Sequence, residues 1–177
     1  MSKRVLLLHG WGGSDHPHWQ AWLAGELAKE YGCVNFLHFS NVDAPKLNVW
    51  MRELKAALRE FKPDVVVCHS LANTLWFHFC NNNPTLLVEK LYLVAPPSLE
   101  CSLDELKEFF PVTVPSNLYA KKILLVTSTD DPYLSQTQAA TLQKNLNIPH
   151  KVLLNAGHIN ADSGYGAWEW IHNEIIS

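Results

Sequence analysis

An α/β fold, with a mostly parallel six-stranded sheet covered by helices on both faces as a three-layer sandwich, is the expectation for this chain, and three observations carry it. Short apolar runs of strand length alternate with longer segments whose apolar residues recur at helical spacing. Several short runs, such as Val65-Val66-Val67-Cys68, are apolar on successive residues, as a strand covered on both faces must be. The third observation is scale: 177 residues, 47% hydrophobic and 18% charged, suit a single domain over residues 1–177 with one continuous core.

The elements follow in order. A strand over Arg4–His9 runs into the glycine-rich stretch His9-Gly10-Trp11-Gly12-Gly13. Trp19, Trp22, Leu23 and Leu27 then place one apolar stripe on a helix that stops before Gly32. A strand over Val34–Phe39 precedes a second amphipathic helix, with Leu47, Trp50, Met51, Leu54 and Leu58 on one face and Pro63 beyond its end. The strand Val65–His69 passes through Ser70 into a helix over Leu71–Phe79, which ends near Asn81-Asn82-Asn83-Pro84. After a strand over Lys90–Ala95 the pattern breaks between Pro96 and Asn117, where four prolines flank a short segment, Leu103–Phe110. This is the one region that could cover a pocket. Strands over Ile123–Ser128 and Lys151–Leu154, with helices over Tyr133–Leu146 and Trp168–Ile176, close the alternation.

The composition excludes several functions. A formal net charge of −3, with Lys and Arg scattered, gives no electrostatic footprint for nucleic acid or an anionic membrane. The apolar run after Met1-Ser2-Lys3-Arg4 is too short for a signal peptide, and no stretch approaches the length that spans a bilayer. Cys33, Cys68, Cys80 and Cys101 form no Cys-x-x-Cys pair, which points to free thiols and a cytoplasmic location. His16-x-His18 lacks a further ligand at metal spacing, so no metal and no cofactor are expected.

Ser70 is the residue with the strongest chemical signal, because a serine where a buried strand turns sharply into a helix presents its hydroxyl over the end of the sheet. A serine hydroxyl needs a base, and the base needs an orienting acid. The strand over Ile123–Ser128 runs into Thr129-Asp130-Asp131-Pro132, and the strand over Lys151–Leu154 into Asn155-Ala156-Gly157-His158. In a parallel sheet all strand C-termini share one edge, so Ser70, a carboxylate from the Asp130-Asp131 pair and His158 converge there. The other carboxylate suits the turn or helix start that follows. The order serine, acid, histidine is that of the α/β-hydrolases. The glycine-rich loop after the first strand completes the set, because it lets the Trp11 N–H approach alongside the Leu71 N–H as an oxyanion hole. His69 and Cys68 read as packing residues of the elbow. Trp11, Trp76, Phe109, Phe110 and Tyr133 are candidates to line a partly apolar pocket.

Five blocks carry a family resemblance that runs nearly end to end: His9-Gly10-Trp11-Gly12-Gly13, His18-Trp19-Gln20-x-Trp22-Leu23, His69-Ser70-Leu71, Ser128-Thr129-Asp130-Asp131-Pro132, and Gly157-His158-Ile159-Asn160 continuing to Ser163, Gly164, Gly166 and Trp168. The chain resembles the small serine hydrolases of the retinoblastoma-binding-protein-9-like group. The resemblance implies a capless α/β-hydrolase fold with strand order 2-1-3-4-5-6, Ser70 as nucleophile, His158 as base and Asp131 as the acid. It also implies an acyl-enzyme route on a small-molecule acyl substrate, an ester, thioester or amide, with carboxylesters favoured. The elbow departs from the group's Gly-His-Ser-x-Gly by carrying Cys68 and Ala72, which keeps open an alternative, an interaction module on a hydrolase scaffold. The Leu-x-Cys-x-Glu signature is absent around Cys101, so no retinoblastoma-protein partner is implied.

Overall fold

Every strand pairing in the sheet is parallel. The computed structural model describes residues 3–30 and 32–177. Its six strands are β1 (Arg4–Leu8), β2 (Cys33–Leu37), β3 (Val65–His69), β4 (Val88–Val94), β5 (Ala120–Ser128) and β6 (His150–Leu153). They lie side by side in the order β2-β1-β3-β4-β5-β6, as expected, with the sheet wholly rather than mostly parallel. The connecting helices are α1 (Trp19–Glu30), α2 (Leu47–Phe61), α3 (Leu71–Asn81), α4 (Gln136–Leu146) and α5 (Glu169–Ile176).

Strand residues alternate between two cores because successive side chains point to opposite faces. Val5, Leu7, Val65, Val67 and Val126 pack with Trp19, Leu23 and Leu27 of α1 and with Ile171 and Ile175 of α5. Leu6, Leu8, Val66, Cys68, Leu91, Leu93 and Leu125 face the other way, onto Trp50 and Leu54 of α2, most of α3 and Leu142 of α4. Each fully buried large apolar side chain in these layers contributes roughly 2–3 kcal/mol. The helix α3 is buried on nearly every side, so it behaves as a rigid post under the serine that precedes it.

Element ends shift where a specific bond takes over. The strand β2 stops at Leu37, two residues short of the expected end, because the Phe39 N–H leaves the ladder to donate to His9 Nε2 at 2.9 Å. The strand β5 begins at Ala120, three residues early, since Val88 and Lys90 of β4 pair with Ala120 and Lys122 although Lys121 and Lys122 interrupt the apolar run. The helix α4 starts at Gln136 rather than Tyr133, fixed by a capping box in which Ser135 Oγ accepts from the Gln138 N–H.

The sequence of crossovers changes direction at β1, which has β2 on one side and β3 on the other. Ligands of open α/β sheets bind at the carboxyl ends of the strands beside such a switch point. The loop after β1 and the turn after β3 meet there.

Candidate active site

Ser70 follows β3 directly and holds φ 54° and ψ −124°, a backbone conformation that side chains other than glycine rarely adopt. Three features hold it there. The Ser70 N–H donates to Val94 O at 3.0 Å, which ties the turn to β4. The Ser70 carbonyl accepts from the Asn73 N–H at 2.9 Å and from Asn73 Nδ2 at 2.8 Å, and the same amide nitrogen donates to Val94 O at 2.9 Å. Gly10 presses against the turn so closely that a Cβ there would lie 2.7 Å from Ser70 Cβ and 3.1 Å from both His69 O and Leu71 N. Cys68 does not prevent the turn: its side chain points into the core under α3, fully buried, and burial pushes its thiol well above the ordinary range. Ala72 is likewise fully buried.

His158 reaches Ser70 from the loop after β6, its Nε2 2.8 Å from Ser70 Oγ. Its Nδ1 lies 2.9 and 3.0 Å from the two carboxylate oxygens of Asp131. Carboxylate oxygens only accept, so Nδ1 carries the proton and the Nε2 lone pair accepts from the serine hydroxyl. The Asp131 carboxylate is completely enclosed and takes a further bond from the Tyr133 N–H at 2.9 Å. Asp130 does a different job. Its Oδ1 accepts from Ser128 Oγ and from the Gly157 N–H, both at 2.7 Å, and these bonds hold its carboxyl below the usual range.

The His158 loop is fastened at three more points. The His158 N–H donates to Ser163 Oγ at 3.1 Å, and Ser163 Oγ donates to Asn160 Oδ1 at 2.8 Å. Gly157 has φ +52° and a Cβ there would run into Ser163, so only glycine fits. His69 Nε2 donates to the His158 carbonyl at 3.1 Å. His69 is thus more than a packing residue, and burial keeps its ring neutral by holding its pKa well below the usual histidine value.

Trp11, Leu71 and Ser70 all line a cavity of about 390 Å³. The backbone N–H groups of Trp11 and Leu71 have no acceptor among the described residues, and Leu71 opens α3, whose first N–H groups are unpaired by helix geometry. The segment between Pro96 and Asn117 supplies a wall of the cavity through Pro97, Cys101, Leu103 and Leu106. Of the five aromatic candidates, Trp11 and Tyr133 line it. Trp76, Phe109 and Phe110 do not: they are buried in the core on the sheet face that α2 and α3 cover, where large apolar rings contribute most. His16 is exposed while His18 is buried beneath the cavity. No three His, Cys, Asp or Glu side chains are grouped as metal ligands among the described residues.

The roles of Asn73, Ser163 and the clasp between Asp130 and Ser128 are not read from the sequence, although Ser128, Asp130 and Ser163 stand in the blocks that carry the family resemblance. Asn73 leaves the clearest trace, as a polar residue three positions after Ser70 in a helix start that is otherwise apolar but for Thr74. The others stand only inside the resemblance blocks with no role attached, because short polar residues in loops are commonplace.

The fold has close structural likenesses. The ydeN gene product from B. subtilis superposes with a TM-score of 0.87 at 21% identity, over 98% of this chain and 97% of that one. A ydeN-like protein from Pectobacterium atrosepticum gives 0.79 at 21% identity, over 97% and 88%. The esterase domain of a Rhodothermus marinus protein gives 0.66 at 15% identity, over 98% and 85%. No curated protein sequence matches the chain significantly. These likenesses, with the strand order, give the α/β-hydrolase fold, and the family model for serine hydrolases matches residues 5–176. On that match, which takes in every strand but one residue of β1 and every helix, the chain belongs to the serine hydrolase family.

Proposed function

We propose that this hydrolase cleaves small carboxylic esters through an acyl-enzyme on Ser70, with thioesters and small amides as the neighbouring substrate classes. The observation that carries the reading is the unbroken line from Ser70 Oγ through His158 to the enclosed Asp131 carboxylate, with separations of 2.8 and 2.9 Å. Ser70 attacks the carbonyl carbon as His158 Nε2 takes its proton, and Asp131 stabilises the imidazolium that forms. The N–H groups of Trp11 and Leu71 meet the charge that develops on the carbonyl oxygen, where fixed donors are worth most. His158 then returns the proton to the leaving group, and water releases the acyl group by the reverse sequence.

A cavity of about 390 Å³ lies near the lower end of small-molecule sites, which favours short acyl groups over extended peptides. Within the family, the five sequence blocks support placement in the retinoblastoma-binding-protein-9-like group. The likeness to an esterase domain supports ester chemistry. The alternative, an interaction module with a degraded elbow, rests on Cys68, and that side chain lies in the core rather than in the turn's path. No helix among the described residues is long and apolar enough to cross a membrane, in keeping with a proposed cytoplasmic location.

Turnover of a series of aryl esters of increasing acyl length tests the proposal. Activity is expected for short chains, with a loss on the order of 10³-fold or more in Ser70→Ala and His158→Ala. Turnover that survives both substitutions contradicts it.

A further inference from the structure

The lining of the cavity beside Ser70 includes two chemically different sets of residues. Pro97, Cys101, Leu103 and Leu106, with Leu71 and Tyr133, form an apolar set. Opposite in character, Ser14, Asp15 and His18 from the loop after β1 and Asn160 and Asp162 from the loop after β6 form a polar one.

Two atoms of the polar set stand out. Ser14 Oγ and His18 Nε2 are buried and have no hydrogen-bond partner among the described residues, although their side chains line the cavity. Gln20 Oε1 and Asn73 Oδ1 are also unpaired, but neither residue lines the cavity and each amide is anchored through its nitrogen. His18 is 5% exposed, and its Nδ1 accepts the Gln20 N–H at 3.1 Å. A ring that accepts at Nδ1 carries its single proton at Nε2 when neutral, so Nε2 is a donor. Burial lowers the ring's pKa to about 4, which keeps it neutral near pH 7. Leaving such a donor buried and unpaired is costly, and a substrate oxygen removes the cost.

The position identifies which part of a substrate would supply that oxygen. His69 packs against both other rings, 5.2 Å from His158 and 4.8 Å from His18, so the His18 and His158 rings, which both line the cavity, lie within about 10 Å of each other. On the reading of His158 as the acid that protonates the leaving group, the leaving group lies beside His158, and His18 is the nearby cavity residue with a free donor. The carboxylates of Asp15 and Asp162, both exposed residues of the same polar set, repel an anion.

We propose that the polar set of cavity residues is a leaving-group subsite for neutral hydroxylated alcohols, in which His18 Nε2 donates to a hydroxyl oxygen of the alcohol and Ser14 Oγ makes a second polar contact. The substrate class is then an ester of a short apolar acid with a diol or polyol. The inference rests on the proposed roles of Ser70 and His158.

Two esters that share an acyl group and differ by a terminal hydroxyl in place of a methyl group test it: 2-hydroxyethyl butyrate and propyl butyrate. Wild type is expected to favour the hydroxylated ester about tenfold in kcat/KM. His18→Phe brings that ratio close to one, His18→Gln, which keeps an amide donor, retains part of it, and Ser14→Ala lowers it about threefold. Ser14→Ala carries the test if His18→Phe fails to fold. A wild-type ratio near one, or a ratio unchanged in both Ser14→Ala and His18→Phe, overturns the inference. Fluorophosphonate labelling of Ser70 separates the two levels: labelling with a flat ratio removes the subsite alone, and absence of labelling in wild type removes the nucleophile reading and the subsite with it.

Discussion

Gly10→Ala adds a single methyl group at the tightest backbone contact of the site. The new Cβ would sit 2.7 Å from Ser70 Cβ, whereas carbon atoms settle about 3.5–4 Å apart, so something must move by roughly 1 Å. No soft neighbour is available. The other two contacts, at 3.1 Å, are the His69 carbonyl oxygen and the Leu71 nitrogen, both main-chain atoms of the same turn. Ser70 already sits at φ 54° and is fixed by Asn73 and Val94, so the turn has little slack. A displacement of about 1 Å in a reacting group costs on the order of 100-fold in rate, and overpacking of this kind costs about 1–3 kcal/mol of stability, or several degrees in Tm for a chain of this size. The assay is kcat/KM on a short-chain aryl ester beside a thermal melt. Gly25→Ala serves as the control, because Gly25 lies inside α1 with nothing within 4 Å of an added Cβ and should gain up to about 1 kcal/mol from helix propensity. Wild-type rate and Tm in Gly10→Ala would refute the argument that this contact sets the serine.

Asn73→Ala removes both side-chain bonds to the Ser70 and Val94 carbonyls. It should cost about 1–3 kcal/mol in urea denaturation and lower kcat more than it raises KM; a purely thermodynamic loss with unchanged kcat contradicts a positioning role. Cys68→Gly restores the commoner elbow residue but empties a fully buried position in a strand. A loss of about 1–2 kcal/mol with no gain in rate is expected, and a large rate increase would show that the thiol hinders the turn. Acid should destabilise the fold through its buried histidines. Burial lowers the pKa of His9, His18 and His69 below the ordinary 6.5, that of His18 to about 4, so the unfolded chain binds more protons across that window and stability falls as pH drops through it. His18 alone accounts for about 2–3 kcal/mol between pH of roughly 7 and 4; equal denaturation midpoints at the two ends would contradict this.

Ser70, a carboxylate of the Asp130-Asp131 pair and His158 are legible in the sequence because each lies in the turn or loop that follows an apolar run, and the family resemblance selects Asp131. Ser70, Asp131 and His158 follow three different strands, and parallel pairing brings three strand ends to one edge whatever the details between them. Strand ends are less legible. The start of β5 is hidden because Lys122 pairs with Lys90 in the ladder while the Lys121 and Lys122 side chains stay in solvent. Aromatic residues mislead for a related reason: Trp76, Phe109 and Phe110 are as apolar as pocket residues, and only packing decides that they fill the core. The polar fasteners are hidden most deeply. Ser128 meets Ala156 across 28 positions and His69 meets His158 across 89, and such bonds leave no local pattern in a chain.

Intact-protein and peptide mass spectrometry after exposure to a slowly turned-over aryl ester addresses the role of Ser70 most directly. A single acyl adduct is expected, on the peptide that contains Ser70, formed by wild type and by Asn73→Ala and absent from Ser70→Ala. An adduct on any other residue, or turnover with a burst-phase product but no adduct on Ser70, would contradict the proposed acyl-enzyme.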